Sequence, residues 1–208
     1  MSFTPNARRL GAPRIARRAL SFCAALLFAG GSAACSDENP FLSPATRENV
    51  VRTFSVWTLT GSNPSLPAAM LFTNLTPERP QVLSNGSVNF EVAFDLTGDG
   101  KVRVIPARAL VPQSPAGAPI VGLLRSNSAF SALTRAPERG YTDDSTMVVG
   151  VNELVLVRLA SAGCIYGEPY YAKVAVDSII ASERRIVLRT LVNRNCGYRA
   201  LTEGLPTT

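Results

Sequence analysis

The chain contains no histidine. That absence removes imidazole metal ligands, every Ser/His/Asp or Cys/His catalytic set, and the side chain that ordinarily switches charge near neutral pH. Charge is sparse as well, at 17% of 208 residues, and no acidic side chain precedes Asp37. There is one tryptophan, and no apolar run reaches the roughly 18 residues needed for a membrane-spanning helix. A Gly-x-Ser-x-Gly elbow, a Ser-x-x-Lys pair and a phosphate-binding loop are missing too. What is present, 46% hydrophobic residues, is the composition of a folded protein with room for one ordinary domain and a tail.

The net charge of +6 is unevenly spread. Arg8, Arg9, Arg14, Arg17 and Arg18 account for five of the 21 basic residues and all precede residue 19. Without them 16 basic residues face 15 acidic ones, a net charge of +1. Nucleic-acid binding rests on a dense basic face. A nearly neutral remainder with scattered arginines supplies none, so no nucleic-acid partner is expected.

The first 34 residues have three parts: an arginine-rich start, an apolar stretch over 19–29, and small residues over 30–34. This is the layout of a secretory signal peptide. Ser32-Ala33-Ala34-Cys35 resembles the lipobox of bacterial lipoproteins. The resemblance implies that Cys35 takes a diacylglyceryl group, becomes the new N-terminus and fixes the protein to a membrane of the cell envelope. Ser36 after it, where an aspartate would imply retention at the inner membrane, implies the outer one. Ser32 stands where those lipoboxes usually carry leucine, and Ser32 and Ala34 also satisfy ordinary signal-peptidase cleavage, which leaves a soluble secreted or periplasmic protein as the alternative. The resemblance covers the leader alone and implies no activity.

Residues 35–46 are polar and proline-bearing, as a flexible tether would be. The organisation expected is therefore a signal peptide over 1–34, a tether over 35–46, one folded domain over 47–200 and a tail over 201–208. Cysteine use fits export: Cys23 leaves with the leader, Cys35 takes the lipid, and Cys164 and Cys196 remain. An exported pair of this kind is predicted to form a disulfide. Closing a loop of about 33 residues contributes roughly 3 to 4 kcal/mol in the chain-entropy model.

The body reads as β-structure. Residues 88–96 alternate Val88, Phe90, Val92, Phe94 and Leu96 with Asn89, Glu91, Ala93 and Asp95, the pattern of a strand with one wet face. Residues 101–105 answer it across Gly98-Asp99-Gly100, with Pro106 marking an edge or a bulge. Residues 50–59 form the first strand, with a bulge expected at Val56 and Trp57 and Trp57 expected in the core. Further strands are predicted at 147–151, 154–159, 171–179 and 185–192, the last two joined by a turn at 181–184 with Lys173 and Asp177 on the solvent side. Apolar at every position, 154–157 suits a central strand. One or two helical turns are expected within 127–135. The fold class is all-β: a two-sheet antiparallel β-sandwich, immunoglobulin-like, with seven or eight strands and at most one short helix.

No cofactor and no metal site is expected. Asp95-Leu-Thr-Gly-Asp99-Gly100 opens like a calcium loop, but Pro106 stands where the bidentate glutamate belongs. Asp143 and Asp144 are sequence neighbours, which an extended chain points to opposite sides. The candidate binding patch surrounds the cysteines. Tyr166 and Tyr198 each follow a cysteine by two residues, Arg194 and Arg199 flank them, and Tyr170 and Tyr171 are close in sequence. Aromatic and arginine side chains offer rigid area with a polar tip, as binding anchors do; the alternative is that the tyrosines pack over the disulfide. The function expected is a non-catalytic binding or structural module whose partner is an envelope protein or a glycan. A histidine-free hydrolase built on carboxylates such as Glu91, Asp95, Asp143 or Glu168 is the alternative.

Overall fold

The computed structural model describes residues 42–112, 117–160 and 163–206, with the Tyr166 side chain left aside. The leader, Cys35 and the tether as far as residue 41 lie outside the described residues. Among the described residues eleven strands follow one another: β1 (Val51–Trp57), β2 (Ala69–Leu71), β3 (Thr76–Glu78), β4 (Val92–Leu96), β5 (Val102–Pro106), β6 (Val121–Ser126), β7 (Thr142–Asp143), β8 (Met147–Val149), β9 (Leu154–Leu159), β10 (Tyr170–Ile180) and β11 (Arg185–Asn193). They form two antiparallel sheets, one ordered β1-β11-β10-β9-β6-β7 and the other β3-β2-β4-β5-β8. The all-β sandwich expected from the alternating pattern is thus what the chain builds. The strands exceed the seven or eight expected because Ala69–Leu71, Thr76–Glu78, Val121–Ser126 and Thr142–Asp143 also join the sheets. Three consecutive strands, β9, β10 and β11, lie side by side in one sheet. An immunoglobulin domain instead splits its strands as ABED and CFG.

The main core fills the space between the sheets. Met70, Phe72, Val92, Phe94, Val102 and Val104 come from one side; Val121, Leu123, Val155, Val157, Val174, Val176, Ile186 and Leu188 come from the other. Each alternates along its strand, so the period-two pattern decides which face points inward. Two smaller clusters cover the outer faces. Ala69, Phe90, Ala93, Ala107 and Ala118 pack outside the five-stranded sheet. Ala136, Leu156, Tyr171, Leu191 and Leu201 pack outside the six-stranded one, with Phe130, Leu133 and Tyr141 against them. Apolar on both faces, β9 is indeed a central strand, between β10 and β6.

Several local expectations are corrected. The ladder of β1 with β11 runs without a break from Val51↔Leu191 to Trp57↔Arg185, so no bulge lies at Val56 and Trp57. The bulge is in β10, between Val176 and Ser178. Val56 is the core residue, and Trp57 is only half-buried. Residues 127–135 make no helix; among the described residues the one α-helical turn, α1 (Ala107–Leu110), starts directly after Pro106. Proline suits that place, because a helix start has no use for its missing N–H. Pro106 pairs with Val92, beyond the reach of β8, whose ladder with β5 stops at Val104. Residues 201–206 are not a loose tail: Leu201 is fully buried, and Asn49 and Gly204 exchange backbone bonds of 2.8 and 2.9 Å.

Candidate functional site

Cys164 and Cys196 form a disulfide with Cα atoms 5.5 Å apart. It ties the turn Ile165–Gly167, just before β10, to the segment that follows β11. The same end is knit by asparagines. Buried Asn195 accepts from the Thr46 and Arg47 N–H groups at 2.9 and 3.0 Å and donates to the Arg47 carbonyl at 2.8 Å. Asn193 and Asn49 both donate to the Ala200 carbonyl, at 2.8 and 3.1 Å. At Gly197, φ is +75°, a backbone conformation that favours glycine, and an added Cβ would stand 2.6 Å from the Leu42 side chain and 2.9 Å from a carboxylate oxygen of Glu168.

The described side chains of the expected binding patch do not present their rings on one face. Tyr170 and Tyr171 are neighbours in β10 and leave the sheet on opposite faces: Tyr170 packs against the main core, Tyr171 in the outer cluster. Tyr171 is 4% exposed and Tyr198 6%, so neither ring is presented to a partner. Arg199 is half-buried and 3.7 Å from Glu138. Arg194 is half-buried; partial burial, then the positive charges of Arg47 and Arg52, hold its proton affinity below the usual arginine range. Nothing is described of the Tyr166 side chain.

The four carboxylates of the alternative reading are dispersed. Asp95 accepts from the Thr60 hydroxyl at 2.9 Å and from the Leu96 N–H at 2.9 Å. Asp143 faces Arg158 at 2.8 Å, whereas its neighbour Asp144 accepts from the Val121 N–H at 3.1 Å and lies 3.7 Å from Arg108. Glu168 sits beside Gly197. Among the described residues, no three acidic or cysteine side chains gather as metal ligands would.

Glu91 differs from the other three. Its side chain lines a cleft of about 530 Å³ together with Arg47, Thr73, Asn74 and Tyr170, and among the described lining residues it is the one carboxylate. It is 4% exposed, accepts from the Phe72 N–H at 2.6 Å and the Thr73 N–H at 3.2 Å, and so fastens the tip of the β2–β3 hairpin. Burial outweighs those bonds and pushes its pKa up to about 7. The alternation over residues 88–96 put Glu91 and Asp95 on a wet face. They are buried instead, because Ala107 and Ala118 cover Ala93 while Thr60 reaches Asp95.

A second groove, about 330 Å³, lies outside the six-stranded sheet between Phe130, Lys173, Arg189 and Glu203. Lys173, expected in solvent, is 4% exposed. Its Nζ donates to the Phe130 and Leu133 carbonyls at 2.7 and 2.9 Å and lies 4.4 Å from the Phe130 ring centre. Desolvation lowers its proton affinity. A lysine standing alone in an apolar strand was the available signal, but nothing local to it says that residues 130–133 return to cover it. No protein-family model, curated protein or solved structure matches this chain.

Proposed function

We propose that the protein is a lipid-anchored component of a bacterial cell envelope, held at the outer membrane through Cys35, and that its sandwich is a non-catalytic binding or structural module. The Cys164–Cys196 disulfide carries this reading, because such bonds persist in oxidising compartments outside the cytoplasm. It joins the only two cysteines that the lipobox-like leader leaves over. The partner is an envelope protein or a glycan. The cleft holding Glu91, Arg47, Asn74 and Tyr170 suits a polar group of that partner, since it offers an acceptor, a cation, an amide and a ring side by side. Intact mass and detergent partitioning of the protein made in its own host test the reading. A chain beginning at Cys35, heavier by a diacylglyceryl group and found in the detergent phase, is expected. A chain that begins at Met1 with free thiols would overturn it.

One observation favours the hydrolase reading: a carboxylate poised near neutrality in a cleft is a fit general acid or base. Hydrolysis by carboxylates ordinarily uses two of them about the scissile bond. Asp95, Asp143 and Glu168 are not among the cleft's lining residues. Loss of a hydrolytic activity in Glu91→Gln, with the fold intact, is the result that would move the assignment to this second reading.

A further inference from the structure

We propose that the disulfide-bearing end of the sandwich is a membrane-contact face that rests on anionic phospholipid headgroups, with Arg47, Arg52, Arg194 and Ile165 as its contact residues. This depends on the lipid-anchored reading above. Leu42 packs at Gly197, and Thr46 and Arg47 are bonded to Asn195, so the chain enters the body beside Cys196. Leu42 stands seven positions after Cys35. Seven extended residues span at most about 25 Å, less than the roughly 40 Å breadth of a domain this size. An acyl group on Cys35 therefore holds this end nearer the bilayer than the far ends of β10 and β11, where the Ala181–Glu183 turn lies.

The chemistry of the end agrees with its placement. Arg47 and Arg194 flank Asn195, and both Arg47 and Arg52 repel Arg194. Among the described residues none of these three has an ion-pair partner, whereas Arg125, Arg158 and Arg189 are paired with Glu153, Asp143 and Asp177. Of the described carboxylates near this end, exposed Glu48, half-buried Glu168, Glu203 accepting from the Val51 N–H, and Glu91 in the cleft with Arg47, none is ion-paired with the three arginines. Like charges kept together without an ion-pair partner favour an incoming anion. Ile165, 68% exposed, stands on a turn that the disulfide pins to Cys196, two positions after Arg194. An apolar side chain among cations is the composition of a surface that lies on a headgroup layer.

Each arginine near an anionic leaflet is worth about a fivefold gain in association, so three give about 100-fold at low salt. The test takes the acylated protein on phosphatidylcholine vesicles with and without phosphatidylglycerol, and follows flotation and amide hydrogen exchange. Exchange at 163–168 and 194–198 is expected to slow several-fold only when phosphatidylglycerol is present, to recover with salt, and to stay unchanged at 181–184. Arg47→Gln with Arg194→Gln, and separately Ile165→Ser, should remove that slowing while the protein still floats. Floating protein without the slowing, or slowing that ignores lipid charge as a protein or glycan contact would, overturns the membrane face and leaves the anchor standing. A chain that carries no acyl group and does not float overturns both.

Discussion

Glu91 is the residue whose chemistry departs furthest from its sequence neighbourhood. The unfolded chain loses its proton near 4.5, but the folded chain holds it to about 7. Between those values the folded state binds more protons than the unfolded one, so stability falls as pH rises through that window and levels off above it. The full span is worth about 3 kcal/mol. Urea midpoints measured from pH 4.5 to 7.5 should show that decline, and Glu91→Gln, which keeps an acceptor for Phe72 and Thr73, should flatten it. An unchanged slope in the variant would mean the burial is relieved by water reaching the cleft. Lys173 poses the opposite problem. Lys173→Met leaves the Phe130 and Leu133 carbonyls without their donor and is expected to cost about 1 to 3 kcal/mol. Thermal unfolding measures the cost, and faster amide exchange over 129–136 should accompany it.

At the scale of elements, the strand and turn that match expectation are those whose partners are near in sequence. The turn at 181–184 closes β10 on β11 as the pattern indicates, with Arg184 in the left-handed region at φ 51°. Residues 88–96 shorten to Val92–Leu96 because Val88 pairs back to Val82 and Phe90 turns to the outer cluster. The segments that depart from expectation have distant partners: residues 130–133 cover Lys173, and 201–206 closes on Asn49. Asn195 shows how much one such contact carries. Asn195→Ala should detach residues 44–47 from the body, at about 2 kcal/mol for its lost buried bonds, while Asn49 stays held by Ala200 and Gly204. Exchange of the Thr46 and Arg47 amides, slow in the parent and fast in the variant, reports it directly.

For the whole molecule, the disulfide and the two-sheet core divide the stability between them. The bond spans 32 residues, a separation that in the chain-entropy model contributes roughly 3 to 4 kcal/mol, a large share of an ordinary domain's total. Reduction under native conditions should lower the unfolding free energy obtained from urea titration by that amount, with the midpoint moving down in proportion. The core from both sheets, Phe72 and Phe94 facing Val157 and Leu188, should hold the fold together after reduction. Unfolding on reduction alone would show the core to be too weak without its staple. Because the bond also fixes the Ile165 turn, loss of lipid contact is expected before loss of the fold.

By itself the sequence determined the fold class, the pairing of Cys164 with Cys196, and the inward face of most strands. Period-two alternation and cysteine count depend only on the chain's own order. It also put Glu91 among the candidate carboxylates. Only the tertiary structure decided which of those carboxylates stands in a cleft, that Tyr171 and Tyr198 are buried, and that Lys173 lies under Phe130. The reason is physical. Alternation reports that a strand has one covered face, whereas the covering of the other face is done by loops some 40 residues away, whose arrival leaves no periodic mark on the strand they bury.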